Sequence, residues 1–277
     1  MTGADAESAL SVETSDRVAT VFLNRPEKRN AMNMEFFAQL PTVMGALSSD
    51  RSVRSVVLGA RGPHFCVGLD LNALSDLGAL SDREGPSVAE TTRRINREIL
   101  RLQASISSVA QCAKPVVAAV HGYCLGGGVD LVAACDIRVC SKDAVFSVRE
   151  TKMAMVPDIG SLARLPAILS AGHLAELVLT GRDVEADEAC RIGLVNRVFD
   201  DKAACLEGAR ALAAEIAANS PLAVEGAKAV LAEGRRAEIE AGQRYVAAFN
   251  AGQLRSEDLK EAVTAFFEKR PPEFEGR

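Results

Sequence analysis

The sequence predicts an α/β protein with an all-helical end region. Three observations carry this: Val-rich apolar runs of strand length, helical periodicity between them, and helical patterns without intervening strands after about residue 201. Strands are expected at 16–23 (DRVATVFL), 53–60 (VRSVVLGA) and 115–121, each short and apolar. Met34–Leu47 and a stretch from about Val88 to Val109 place apolar residues at three- and four-residue intervals and read as helices. Leu74–Ser87 has no clean period and reads as a long loop, either a ligand wall or a plain surface insertion. Ala144–Val148 reads as a further strand and Leu162–Leu169 as a helix. Four Ala-rich helices follow, over Lys202–Asn219, Leu222–Glu233, Ala237–Ala251 and Ser256–Glu268. Pro221 is tolerated in a first turn, and Arg270-Pro271-Pro272 stops the last helix. The expected division is an α/β core over 1–200 and a helical region over 201–277.

Composition narrows the function. Of 277 residues, 48% are hydrophobic and 25% charged, the balance of a globular protein with a sizeable core. With 32 Lys+Arg against 37 Asp+Glu the net charge is -5, which offers no overall positive field for nucleic acid or an anionic membrane. Apolar stretches such as Pro115–Val120 fall far short of the roughly 20 residues a membrane helix needs. The acidic N-terminus lacks the pattern of a signal or transit peptide, and Glu275-Gly276-Arg277 is not a peroxisomal address, so a cytoplasmic protein is expected. Seven cysteines without a C-x-x-C pair fit reduced core thiols. Histidines occur only at 64, 121 and 173, none at ligand spacing, so no metal site is expected.

The most informative segment is His121-Gly-Tyr-Cys-Leu-Gly126-Gly127-Gly128-Val129-Asp130, where a Val/Ala strand runs into three glycines and a helix. Glycines there let the chain turn and let a ligand approach the free amides of the helix start, or serve a tight connection alone. A second loop, Phe65-Cys66-Val67-Gly68-Leu69-Asp70-Leu71, follows another strand. Two amides from separate segments meeting at one point would form an oxyanion hole; a loop glycine is also ordinary turn chemistry. Three carboxylates lie around the glycine segment: Asp130, Glu150 and Asp158. Each has a structural alternative: Asp130 offsets a helix dipole, Asp158 caps a turn, and Glu150 pairs with Arg149 or Lys152 at the surface.

Five motifs in order resemble the crotonase (enoyl-CoA hydratase/isomerase) superfamily. They are Leu23-Asn24-Arg25-Pro26 with Asn30-Ala31-Met32, Phe65–Leu71, His121–Gly128, Cys135-Asp136-Ile137, and Phe266-Phe267-Glu268-Lys269-Arg270. The resemblance implies a catalytic core of ββα units wound into a superhelix over 1–200 and a helical oligomerisation region that builds a homo-trimer or a hexamer as a dimer of trimers. It implies an acyl-CoA thioester substrate, with the carbonyl held by the amides of Val67 and Gly126. Hydratases of the superfamily carry glutamate where this chain has Asp130, and a proline-glycine pair where it has Pro157-Asp158. The triplet Asp130, Glu150, Asp158 most resembles the dienoyl-CoA isomerase branch.

The chemistry supports that branch. Converting a 3,5-diene to a 2,4-diene removes a proton at C2 and returns one at C6, positions too far apart for one carboxylate. Glu150 is expected to act at C2 and Asp158 at C6, with Asp130 in support. No cofactor is expected, since coenzyme A is part of the substrate. Its phosphates are expected to meet Arg25, Lys28 and Arg29, with Lys269 from a neighbouring subunit, while Val67, Gly68, Leu69, Asp70 and Gly126 contact the thioester end. The alternatives are 2-enoyl-CoA hydration, Δ3-Δ2 isomerisation, or a non-catalytic acyl-CoA- or RNA-binding homologue, the last disfavoured by the absence of a basic aromatic stripe. The acyl pocket floor is expected from the Leu74–Ser87 loop and the helix after it.

Overall fold

A computed structural model describes residues 8–70 and 87–277. The chain opens with β1 (Leu10–Ser15) and β2 (Val18–Leu23), then α1 (Met34–Ser49), β3 (Ser55–Ala60), α2 (Val88–Gln111), β4 (Val116–Val120), β5 (Tyr123–Leu125) and α3 (Gly127–Ala133). It continues with β6 (Ile137–Ser141), β7 (Val145–Ser147), α4 (Ser161–Arg164), α5 (Ala171–Thr180), β8 (Val184–Glu185), α6 (Ala186–Arg191) and β9 (Arg197–Phe199). Three helices close the chain: α7 (Lys202–Ala218), α8 (Pro221–Gln253) and α9 (Glu257–Glu268).

Six strands form one sheet in the order β1-β2-β3-β4-β6-β9, parallel except for the β1–β2 hairpin, and β5-β7-β8 form a second. Successive segments place one strand in the large sheet, one in the small sheet, then a helix, as in β4-β5-α3. This is the ββα superhelix, with helices following it. β2, β3 and β4 are buried on both faces, which is why they read as unbroken Val/Ala runs. Phe36, Phe37, Phe65 and Phe146 are the largest fully buried side chains of the core. Lys228 of α8 ties the helical region to the sheet: its ammonium donates to Asp136 (2.7 Å) and to the Lys114 carbonyl (2.9 Å), while Asp136 also accepts from the Val116 amide.

Several expected elements change. Asp16 and Arg17 have positive φ (49° and 69°) and form the turn of the β1–β2 hairpin, so the strand expected from 16 starts at Val18. β1 escaped notice because its outer half is exposed and polar. The helix expected over Leu162–Leu169 is one α-turn followed by a 3-10 turn, Leu165–Ala167, because Pro166 has no amide to continue the ladder. The two helices expected over Leu222–Glu233 and Ala237–Ala251 are one, α8; Gly234 lowers helix propensity by only about 1 kcal/mol and does not stop it. The 74–87 loop lies outside the described residues up to position 86.

Candidate active site

The two glycine loops meet through backbone hydrogen bonds. Cys66 N–H donates to the Tyr123 carbonyl and Leu125 N–H to the Cys66 carbonyl, both at 2.9 Å, which stitches the 65–70 loop to β5. On its other edge the loop pairs with Met32: Met32 N–H donates to the Gly68 carbonyl (2.8 Å) and Asp70 N–H to the Met32 carbonyl (2.9 Å). In this parallel bridge Met32 bonds to the residues on either side of Leu69, so the N–H of Leu69 itself faces away from Met32. Gly126 turns the chain from β5 into α3 at φ 52°.

These bonds correct the expected oxyanion pair. The Val67 amide already donates to the Arg29 carbonyl (3.3 Å), and the Gly126 amide to the Ser147 carbonyl (2.8 Å). Among the described residues, the Leu69 and Gly127 amides donate to no acceptor; Gly127 is the first residue of α3, where no intrahelical partner exists. They lie side by side: a Cβ placed on Gly127 would sit 3.7 Å from the Leu69 nitrogen, and one placed on Gly68 3.5 Å from the Gly127 nitrogen. The right loops were legible in the sequence; the amides left without an acceptor are those of Leu69 and Gly127, not Val67 and Gly126.

The three carboxylates converge beside this pair. Asp130, on α3, is fully buried and accepts from the Ser161 amide at the start of α4. Glu150 opens a 3-10 turn after β7, and its carboxyl lies over Gly126, where an added Cβ would meet Oε1 at 3.3 Å. The Glu150 carboxyl faces Gly126 and feels the Asp130 charge, while Arg149 is engaged with Asp183, so Glu150 does not pair with Arg149 at the surface. Asp158 is held separately. Asn250 of α8 donates to its Oδ2 (2.7 Å), and Gln103 of α2 donates to its backbone carbonyl (2.6 Å).

Burial raises all three acids. Asp130 is raised by desolvation, moderated by hydrogen bonds from Ser161 and by the Arg164 guanidinium. Glu150 is raised well above its ordinary range by desolvation and by the neighbouring Asp130 charge. Asp158 is pushed from 3.8 to about 7, chiefly by desolvation, with the Asn250 hydrogen bond opposing. Both members of the Asp130–Glu150 pair therefore hold a proton more tightly than ordinary carboxylates.

A stability prediction follows from the sign of these shifts. Folded Asp158 keeps its proton up to about pH 7, whereas the unfolded chain releases it near 3.8. The folded state thus binds the extra proton between those values, and stability falls as pH rises through them. The ligand-free protein is expected to melt at a lower temperature at pH 7 than at pH 5, with a smaller difference in Asp158→Asn. Thermal unfolding that is flat or improves over this range would contradict the burial of these acids.

The remaining expected site residues divide. Arg25 donates through Nη1 to the Ala31 carbonyl (2.5 Å) and to Asp70 (3.2 Å), so it braces the 65–70 loop. Lys28 and Arg29 are exposed beside it. Lys269 is exposed after α9, far along the chain from the carboxylates, and Phe266 and Phe267 are 58% and 68% exposed. Ser161, Gln103 and Asn250 were missed. Gln243 and Asn250 interrupt an otherwise apolar buried stripe of α8 (Val246, Ala247, Ala251, Leu254), the one sequence signal that could have found them.

A sequence profile described as enoyl-CoA hydratase/isomerase matches residues 13–277. The chain is 43% identical over 261 residues to the peroxisomal Delta(3,5)-Delta(2,4)-dienoyl-CoA isomerase of Arabidopsis thaliana, covering 94% of each chain. It is 39% identical to the mitochondrial Delta(3,5)-Delta(2,4)-dienoyl-CoA isomerase of Dictyostelium discoideum, covering 96% of this chain and 90% of that one. The crystal structure of an enoyl-CoA hydratase/isomerase from Pseudoalteromonas atlantica T6c superposes with a TM-score of 0.82 at 31% identity, over 96% of this chain and 100% of that one. The expected cytoplasmic location is overturned by these relatives, which are named as peroxisomal and mitochondrial proteins. Absence of a recognisable targeting pattern did not translate into a compartment.

Proposed function

The chain belongs to the enoyl-CoA hydratase/isomerase family, and from that premise we propose that it is an isomerase converting 3,5-dienoyl-CoA to 2,4-dienoyl-CoA in fatty-acid oxidation. The observation that carries the reading is Asp158, a half-buried acid anchored by Asn250, apart from Asp130 and Glu150. The relatives named as dienoyl-CoA isomerases support the same reaction.

The thioester oxygen accepts from the Leu69 and Gly127 amides. Glu150, whose carboxyl lies over the adjoining Gly126, is the acid group nearest the carbonyl and therefore takes the C2 proton. The C2–H electrons move into a dienolate whose negative charge rests on the thioester oxygen. Asp158 then gives its proton to C6, leaving double bonds at C2 and C4. One proton is removed and one returned, so the balance needs no redox group. Because both members of the Asp130–Glu150 pair have raised proton affinity, the ionised Glu150 is a stronger base than an ordinary carboxylate. Hydration is supported less well, because adding water across one double bond leaves the third acid, Asp158, without a role.

Lys28 and Arg29 are the exposed cations proposed to meet the nucleotide phosphates. The exposed Leu222, Val230, Tyr245, Phe249, Phe266 and Phe267 of α8 and α9 support assembly into a trimer, and Lys269 would then reach a neighbouring subunit's ligand. Incubating the protein with 3,5-dienoyl-CoA and, separately, with 2-enoyl-CoA tests the reaction. Growth of conjugated dienoyl-thioester absorbance with little loss of the enoyl band is expected; efficient enoyl hydration without dienoyl turnover would replace isomerase with hydratase.

A further inference from the structure

We propose that Asn250 is a positioning residue that locks Oδ2 of Asp158 as a hydrogen-bond acceptor, so that Oδ1 is the oxygen that carries the proton exchanged with substrate. The inference deepens the isomerase reading and rests on it. Asn250 is 1% exposed and its side-chain amide is saturated. Its Nδ2 donates to the Val156 carbonyl (2.8 Å) and to Asp158 Oδ2 (2.7 Å), and its Oδ1 accepts from the Val156 amide (3.4 Å).

This set fixes which end of the Asn250 amide is which. Only an acceptor can face the Val156 N–H, and only a donor can face the Val156 carbonyl. The group facing Asp158 Oδ2 is therefore N–H, which cannot accept. A neutral Asp158 must then carry its hydrogen on Oδ1, which has no hydrogen-bond partner among the described residues. Fixing the proton-bearing oxygen removes the carboxyl rotations that would otherwise present the wrong atom to C6.

Asn250 also sets how strongly Asp158 holds that proton. The charged groups facing Asp158 among the described residues are Asp130 from α3 and Glu150 from the 3-10 turn, both of which favour the neutral acid. Gln103 from α2 is neutral and binds only the backbone carbonyl. Among the described residues no lysine or arginine forms an ion pair with Asp158, and the Asn250 N–H is the side-chain contact that favours its ionised form. Without it, the acid would be weaker as well as free to turn.

The test compares wild type with Asn250→Ala and the near-isosteric Asn250→Asp on 3,5-dienoyl-CoA in D2O. Both variants are expected to lose about tenfold or more in kcat at pH 7 with KM within about twofold. Exchange of C2 hydrogen should persist while C6 labelling slows. The high-pH limb of the kcat profile, where Asp158 must still be protonated, should move upward by about one pH unit. A substrate-free measurement accompanies this: in protein labelled with 13C at aspartate Cγ, the resonance missing from Asp158→Asn should titrate near pH 7 in wild type and higher in both variants. Unmoved titration and an unmoved limb in both variants would overturn the proposal. So would kcat within twofold of wild type, or equal loss of C2 and C6 exchange. A wild type that does not turn over the dienoyl substrate would overturn the isomerase reading and the C6 half of the proposal, while the 13C titration would still report on the Asn250–Asp158 bond.

Discussion

Asp158→Asn is expected to lower turnover of 3,5-dienoyl-CoA by about 10²–10⁴-fold, the range that a lost general acid commands. The substitution keeps the shape of the side chain and its place against Asn250 Nδ2, but it removes the transferable proton. The oxyanion amides and Glu150 remain, so C2–H should still exchange with D2O while no 2,4-diene accumulates. Glu150→Gln should fail differently, losing C2 exchange and isomerisation together, because the first proton is never taken. Each variant is checked by dienoyl absorbance alongside mass-spectrometric deuterium incorporation. Asp158→Asn that folds normally and turns over at the wild-type rate would remove residue 158 from the mechanism.

The second large effect is expected at Gly68. Its φ of 98° lies in the region that L side chains rarely adopt, and an added Cβ would stand 3.1 Å from the Leu125 carbonyl oxygen and 3.5 Å from the Gly127 nitrogen. Gly68→Ala therefore has to shift either the 65–70 loop or the start of α3, and each carries one of the two amides proposed to hold the thioester oxygen. Loss of one well-placed donor corresponds to about 10²–10³-fold in kcat. Both steps share the dienolate, so C2 exchange should fall along with isomerisation, unlike the outcome for Asp158→Asn. A Gly68→Ala enzyme of ordinary kcat would show that the Leu69–Gly127 pair does not hold the thioester oxygen.

The acids and the amides differ in how far they could be read without a structure. Asp130, Glu150 and Asp158 stand out as residue types in an unusual combination, with aspartates where hydratases carry glutamate and glycine. An amide has no residue type. Strand parity would put the Val67 and Leu69 amides on one edge, but Gly68 between them, at φ 98°, turns them apart: Arg29 meets one and an open side the other. Gly126 and Gly127 are identical in sequence. Only the bond from Gly126 to Ser147, three segments away in the fold, shows which of them remains free.

By itself the sequence determined the alternation of strands and helices, the two glycine loops and the carboxylate set, because buried parallel strands, tight turns and acid chemistry each demand particular residue types in short stretches of chain. It also determined the resemblance to the family, through motifs spread across most of its length. The tertiary structure decided which amides are free, that Glu150 turns inward against Gly126 and Asp130, and that Arg25 braces a loop through Asp70. It also brought Asn250 onto Asp158 across 92 positions of chain. Hydrogen-bond saturation and desolvation depend on neighbours distant in sequence, so these properties come into being only when the chain is packed.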